Sequence, residues 1–214
     1  MNTILTDETE PAMASSVAET GPDPGSDHEL WERLRQGDQL ALGELFDRYA
    51  DDVHSFAFRR TASWSTAEDV VQTTFLATWR RFHRNPPGPL TAPTARGWLL
   101  VVAGYECRTL ARTAARFRNL VDRLPGPVHG TDHAAEVANR LDDELRMSTI
   151  RRAVAKLPRH ERETLELVVW AGLTQAEAAD ALGVPVGTVK ARLHRTRRRF
   201  PDLLARVTFT EELS

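Results

Sequence analysis

The sequence predicts an all-α protein made of two helical domains joined by a flexible linker. Apolar residues recur at helical spacing along most of the chain, and no strand-like alternation extends beyond a few residues. Proline and glycine cluster within residues 120–138, where helical periodicity is weak. We therefore divide the chain into an acidic tail (1–25), a first domain (26–118), a linker (119–140), a second domain (141–205) and a C-terminal tail (206–214).

The composition limits the classes of function. Hydrophobic residues make up 41% of the chain and charged residues 27%, which is ordinary for a globular protein. No apolar run approaches the ~20 residues of a membrane span, and the N-terminus lacks the pattern of a secretory signal. We therefore expect a cytoplasmic protein without membrane insertion. The single cysteine, Cys107, excludes a disulfide framework and a cysteine-rich zinc site.

The first domain is predicted to begin at Ser26, after a tail whose composition is typical of disorder. Ser26 and Glu29 have the spacing of a capping box, and Gly37 ends this first helix. Two longer helices follow, and Ser65 with Glu68 is predicted to cap the second of them. The predicted buried sides are Leu42, Leu45, Phe46, Tyr49, Val53, Phe56 and Ala57, then Ala67, Val70, Val71, Thr74, Phe75, Trp79 and Phe82.

A proline-rich segment, residues 83–97, predicts a loop before the last helix of the first domain. That helix is predicted from Trp98 to about Phe117. Its apolar residues recur at helical spacing and predict one buried side. The predicted buried residues are Leu99, Val102, Tyr105 and Leu110.

The second domain is predicted to contain four helices. The first ends at Pro158, which cannot continue a helix, and the second closes at Gly172. The third begins at Thr174, with Glu177 at the capping-box position, and stops at Gly183. The fourth runs from about Thr188 to Phe200. The buried sides of the first two are predicted to contain Leu141, Leu145, Met147, Ile150, Val154 and Leu157, then Leu165, Val168 and Val169.

The last two helices, within residues 173–200, have the pattern of a helix-turn-helix: a short capped helix, a glycine-containing turn and a basic second helix. Val189, Leu193 and Phe200 should point inward. A one-sided basic face suits a recognition helix, because lysine and arginine can address guanine or hold phosphates. A helical hairpin with a solvated charged surface is the alternative. The residues on the opposite face are Lys190, Ala191, His194, Arg195 and Arg198.

The segment GVPVGTVKARLHRTRRRF resembles the second half of region 4 of the sigma-70 family of RNA polymerase sigma factors, which reads the promoter −35 element. The preceding LPRHERETLELVVWAGLTQAEAADAL is similar to the first half. The chain shows no extra regions of the large housekeeping factors, so it resembles the short extracytoplasmic-function (ECF) subfamily. The resemblance implies −35 contacts by Thr188, Lys190, Ala191, Arg192, His194, Arg195, Arg197 and Arg198.

The segment AEDVVQTTFLATWRRF, residues 67–82, resembles sigma region 2, where this helix docks on the clamp of the polymerase largest subunit. The resemblance assigns Asp69, Gln72 and Thr73 to core-polymerase binding. A carboxylate and an amide can pair with basic residues of a partner helix. The family usually has an acid where this chain has Thr73. A solvated helix face is the alternative interpretation of these residues.

The helix from Trp98 resembles the segment that opens and reads the −10 element. The family-like WL falls at Trp98 and Leu99, but the chain departs from the family's pattern at Val101, Gly104, Tyr105 and Thr109. Trp98 can stack on an unpaired base, although a tryptophan in the core is the more common arrangement. Three arginines at helical spacing could hold DNA backbone. The candidate −10 residues are Trp98, Arg108, Arg112 and Arg116.

The function expected from the sequence is that of a transcription initiation factor. It would bind core RNA polymerase at the clamp and flap and direct it to promoter DNA, with an anti-sigma factor as a further partner. We expect no enzyme activity and no cofactor. We also expect no metal site, since His129 and His133 lie in the linker without a strong third ligand. The alternatives are a helix-turn-helix regulator that works without polymerase, a recombinase and a polymerase-binding adaptor.

Overall fold

The computed structural model describes the backbone of residues 25–121 and 134–212 and the side chains of 25–116 and 141–205. This part of the chain is helical without strands, as predicted. A π-helical segment, Glu166–Trp170, directly continues α6. Among these residues, no helix has the length and apolar character needed to span a membrane. The helices are α1 (Asp27–Arg35), α2 (Gln39–Thr61), α3 (Trp64–Arg84), α4 (Arg96–Val121), α5 (Ala134–Ala155), α6 (Arg159–Leu165), α7 (Gln175–Leu182) and α8 (Val186–Glu212).

Side-chain caps start helices α1 and α3, but one predicted cap is wrong. Ser26 caps α1 as predicted, because its Oγ accepts the Glu29 N–H at 3.3 Å. Helix α3 begins two residues earlier than predicted, and its cap is Ser63, whose Oγ accepts the Thr66 N–H at 3.3 Å. The earlier start places Trp64 in the first turn, where its ring stacks on Phe58.

The core of the first domain lies between α2, α3 and α4. The predicted apolar face of α3 is confirmed, since its members are buried or partly buried. The predicted burial of Phe46 and Tyr105 is wrong, because they are 41% and 53% exposed. In α4 the buried side passes instead through Leu99, Leu100 and Ala103. Tyr105 lies at the surface instead, where the guanidinium of Arg108 lies 4.4 Å from the centre of its ring.

A buried carboxylate, Asp27, joins three parts of the first domain. It accepts hydrogen bonds from the Tyr49 hydroxyl and the Arg48 guanidinium of α2. It also accepts the Ala95 N–H, just before α4, at 2.6 Å. Burial raises the pKa of Tyr49 well above its usual range, and the hydrogen bond to Asp27 adds to this effect. Asp27 therefore fixes α1 and the start of α4 against α2.

The second domain has a smaller core of Val154, Leu157 and Leu165, against which Phe200 and Leu203 pack. Helix α5 begins at Ala134, before the predicted Leu141. Its predicted buried side is correct only near the C-terminal end, where α5 packs on α8. Because the earlier turns extend beyond this contact, the predicted core residues Leu141, Leu145 and Ile150 are exposed, as is Val169 of the π segment.

Helix α8 continues through Pro201 to Glu212, past the predicted end at Phe200. A proline within a helix removes one backbone donor, but Leu203 beyond it still packs on the core. The predicted acidic tail lies outside the described residues up to residue 24, as do linker residues 122–133 with both linker histidines.

The two domains pack against each other. Leu167, Leu173, Ala178 and Val189 of the second domain belong to the same buried cluster as the core of the first. Helix α7 contacts α4, and the π segment contacts α2. At the start of α3, the Trp64 N–H donates to Glu144 of α5 at 2.8 Å. The described part of the chain is therefore in a closed arrangement.

Candidate nucleic-acid interface

Helices α7 and α8 form the predicted helix-turn-helix. The Thr174 Oγ accepts the Glu177 N–H at 3.2 Å, and the Glu177 carboxylate accepts the Thr174 N–H at 2.8 Å, which completes the predicted capping box. The hydrogen bonds that the Glu177 carboxylate accepts from the Thr174 N–H and hydroxyl lower the pKa of Glu177. Gly183 ends α7 with φ 64°, a left-handed conformation that favours glycine. The tight turn that follows sets the angle at which α8 leaves.

Helix α8 has two faces, as predicted. Val189 and Leu193 are buried, and Phe200 packs partly on the second core. Thr196, which the sequence left unassigned, is also buried. Thr188 and Arg192 lie half-buried at the edges. The candidate residues that α8 exposes are Lys190, Ala191, His194, Arg195, Arg197 and Arg198.

One edge of α8 faces the start of α7 across a shallow groove. Lys190, His194 and Arg197 line this groove together with Gln175, the first residue of α7. The N-terminus of a helix attracts phosphate, because its first N–H groups lack helical partners. The sequence analysis did not single out Gln175, because its proximity to α8 depends on how the two helices cross.

The other edge of α8 faces α6, where two arginines contact Glu161. The Arg195 Nε lies 3.0 Å from the Glu161 Oε1, and the Arg199 Nη1 lies 3.2 Å from Oε2. The side chains of Arg195 and Arg199 are 48% and 54% exposed, whereas that of Glu161 is 2% exposed. Arg195 thus lies at the surface but is held by an internal carboxylate. No local pattern indicates Glu161, since its two arginine partners lie more than thirty residues away.

Two of the four candidate −10 residues contact other parts of the protein, and the other two are exposed. Trp98 is partly buried, with its ring edge-to-face to those of Trp31 at 5.1 Å and Phe82 at 5.7 Å. Arg108 turns toward the second domain and donates to Glu163 at 2.8 Å. Arg112 and Arg116 are exposed on the same helix.

The candidate polymerase-binding residues lie on the outer face of α3. Asp69 and Gln72 are exposed, and the Thr73 hydroxyl donates to the Asp69 carbonyl at 2.9 Å. Leu76, at the same helical spacing, is 47% exposed. A large apolar side chain next to polar groups is typical of an interface centre. The sequence analysis did not single out Leu76.

Comparison with known proteins assigns the family. Two family models match: Sigma-70 region 2 over residues 45–117 and Sigma-70, region 4 over residues 147–200. The ECF RNA polymerase sigma factor SigL of Mycobacterium tuberculosis is 37% identical over 153 residues, which cover 70% of this chain and 81% of SigL. The chain belongs to the ECF RNA polymerase sigma factors.

Other members of the family also match this sigma factor. SigE of Mycolicibacterium smegmatis is 29% identical over 79% of this chain, but the match spans less than two thirds, 65%, of SigE. CarQ of Myxococcus xanthus is 30% identical over 81% of this chain and 94% of CarQ. The solved structure of CnrH in complex with the cytosolic domain of CnrY matches 84% of this chain and 97% of CnrH, with 26% identity and a TM-score of 0.56.

These matches confirm the expected function as a transcription initiation factor that directs RNA polymerase to promoters. Both sigma regions occur in the family's order along one chain. A helix-turn-helix regulator that works without polymerase is therefore not favoured.

Proposed function

We propose that this sigma factor binds core RNA polymerase through the outer face of α3 and reads the −35 element with the exposed face of α8. The observation that carries the proposal is the division of α8 into a buried apolar side and an exposed basic side. A recognition helix needs this division, because one side must pack on its own domain while the other enters the major groove.

On α8, each exposed side chain has a role that follows from its chemistry. Lys190 and Arg195 address guanine O6 and N7. Ala191 and His194 face the bases, where a small and a polar side chain fit beside them. Phosphates are held by charge or hydrogen bonding, which gives affinity without sequence information. The residues with this role are Thr188, Arg192, Arg197 and Arg198.

On α3, Asp69 and Gln72 pair with basic groups of the polymerase clamp, and Leu76 packs between them. Thr73 contributes less, because its hydroxyl already donates within the helix. The flap of the polymerase would hold the second domain.

On α4, Arg112 and Arg116 hold the DNA backbone near the −10 element, since both are exposed. Arg108 and Trp98 join them only when the second domain moves away, because Arg108 pairs with Glu163. The proposed divisions are a region 2 domain at 26–118, a linker at 119–140 and a region 4 domain at 141–205.

The chemistry of RNA synthesis belongs to the polymerase in this proposal, and the sigma factor contributes no catalytic group. It acts in the cytoplasm, where core polymerase and promoter DNA are found. An anti-sigma factor is a further proposed partner, and CnrH, a structural relative, was solved with the cytosolic domain of CnrY bound.

Runoff transcription with purified core polymerase on genomic fragments tests the proposal. We expect defined start positions with the sigma factor and none without it. Lys190→Ala should reduce preference for the −35 sequence by about 1–3 kcal/mol, the range for a side chain that reads guanine. The chain contains one other lysine, Lys156, which is exposed directly after the end of α5. Lys156→Ala is therefore the matched control, and equal effects of the two changes would contradict the −35 assignment.

A further inference from the structure

Glu161 is a buried carboxylate directed at the recognition helix. It lies in the first turn of α6, and the residue is 1% exposed. Its Oε1 accepts from the Arg195 Nε at 3.0 Å, and Arg199 donates to both oxygens at 3.2 and 3.3 Å. Burying a carboxylate is costly unless charged partners compensate it. The Glu161 carboxylate should therefore hold the side chains of Arg195 and Arg199 on the edge of α8 that faces α6.

The contact with Glu161 uses only the Nε of Arg195, so the rest of the guanidinium can bind DNA. Because Nε faces Glu161, the terminal Nη groups are the ones that can reach a base edge. A guanidinium reads guanine in a planar, two-bond geometry, so a change in its tilt weakens discrimination. Arg198 lies on the same exposed face of α8, but its side chain is not among the partners of Glu161.

We propose that Glu161 is a positioning residue that sets −35 specificity by holding Arg195, an inference that rests on the proposed −35 role of α8. Glu161→Gln keeps the shape of the side chain and removes its charge. In the assembled holoenzyme, it should lower the ratio of affinities for selected over scrambled −35 duplexes by about five- to tenfold. The duplexes are those that the wild-type holoenzyme selects from a randomised library.

Two double variants distinguish the positioning of Arg195 by Glu161 from a general loss of protein stability. In an Arg195→Ala background, Glu161→Gln should change the ratio less than about twofold, because the residue that it orients is gone. In an Arg198→Ala background, the full effect should remain. An equal loss in both backgrounds, or no loss from Glu161→Gln alone, would overturn the proposal. A wild-type holoenzyme that selects no −35 sequence would instead overturn the proposed function.

A second and independent set of contacts joins the two domains. Four arginines of α2 and α4, which we call the arginine latch, reach the α6–π segment of the second domain. Arg60 and Glu166 form an ion pair of 2.7 Å with side chains 9% and 3% exposed. Burial raises the pKa of Glu166, and Arg60 opposes this shift. The latch consists of Arg59, Arg60, Arg96 and Arg108.

The latch also satisfies the end of the π segment. Arg59 donates to the Trp170 carbonyl, and Arg96 donates to the Ala171 carbonyl at 2.7 Å. Carbonyls at a helical C-terminus lack backbone partners and attract cations. Asp52 holds Arg96 in place through two hydrogen bonds at 2.7 and 2.9 Å.

Close packing accompanies the latch at the start of α4. A Cβ placed on Gly97 would lie 3.2 Å from the Ala181 Cβ and 3.6 Å from the Leu173 side chain. Helix α7 therefore lies directly against α4, and its carboxylates Glu177 and Asp180 line the same crevice as Trp98. These carboxylates would repel a DNA strand that approached Trp98.

The geometry points to an autoinhibitory contact: the arginine latch masks the −10 segment until the domains separate. Arg108 is occupied by Glu163, and the crevice beside Trp98 is covered by α7. Asp69 on α3 and Lys190 on α8 remain exposed in the same arrangement. In the closed arrangement, α3 and α8 can therefore bind polymerase and duplex DNA, whereas the −10 segment of α4 can bind DNA only after the domains separate. The inference rests on the proposed −10 role of α4.

A reversible crosslink tests this inference. Paired changes Gly97→Cys and Ala181→Cys should form a disulfide, since the two Cβ positions lie 3.2 Å apart, within a few tenths of an ångström of the usual separation. Cys107 is buried and its pKa is raised to about 12 by burial, so it should not compete. We expect the oxidised chain to lose at least about tenfold in runoff transcription with core polymerase, and reductant to restore it.

The single-cysteine variant is the control for the crosslinking experiment. Gly97→Cys alone should transcribe equally with and without reductant. Failure of the disulfide to form, or full transcription by the oxidised pair, would overturn the closed-state inference. If the wild-type chain fails to start RNA at defined positions, the proposed function fails instead.

Discussion

Asp69→Arg is expected to weaken binding to core RNA polymerase by more than about tenfold, because a like charge at an interface costs several kcal/mol. Asp69 is exposed on α3, where its carboxylate is proposed to meet basic groups of the clamp. A change at the surface should leave the fold intact, which circular dichroism can verify. Titration of labelled core polymerase with the sigma factor measures the affinity.

The control for this prediction is an aspartate on another helix. Asp51 is also exposed but lies on α2, outside the proposed face of α3. Asp51→Arg makes the same change of charge there. Its affinity for polymerase should stay within about threefold of wild type. If both variants bind as tightly as the wild type, the outer face of α3 is not the docking surface.

Asp27→Ala is expected to lower the free energy of unfolding by about 2–6 kcal/mol, because two buried polar groups each lose an acceptor at a cost of about 1–3 kcal/mol. The change leaves the buried Tyr49 hydroxyl and the Ala95 N–H without their acceptor, while the partly exposed Arg48 can bind water. It also releases α1 from the start of α4. Urea unfolding monitored by circular dichroism measures the change.

Asp51 provides the comparison for Asp27. It is an aspartate on α2 with an exposed side chain. Asp51→Ala should change the free energy of unfolding by less than about 0.5 kcal/mol, as for most surface substitutions. A similarly small effect for Asp27→Ala would show that the buried network contributes little to stability.

Features that depend on neighbouring residues could be predicted from the sequence. The capping box of Thr174 and Glu177 involves residues three apart, and the two faces of α8 follow from helical spacing alone. The cap of α3 was misplaced because Ser63 and Ser65 both suit a capping position. Tertiary contacts of Trp64, such as its stacking on Phe58, accompany the start at Ser63 and are not visible in the local sequence.

Features that join distant segments could not be predicted. Asp27 bonds to the backbone of a residue 68 positions away, and Glu161 to a side chain 34 positions away. The ion pair of Arg60 and Glu166 lies between domains that the sequence presents as separate modules. Helical spacing indicates which side of a helix is apolar but not which helix covers it. For the same reason, the exposed apolar residues of α5 were predicted to be buried.

The π segment has a consequence for the register of the second domain. Its backbone hydrogen bond from the Ala171 N–H to the Glu166 carbonyl closes a turn that holds one residue more than an α-helical turn. Removing one residue here would restore α-helical geometry and rotate whatever follows by about 100° around the helix axis. The π turn thus fixes the direction in which α7 and α8 leave the π segment, and the same deletion would move the basic face of α8 away from its present position.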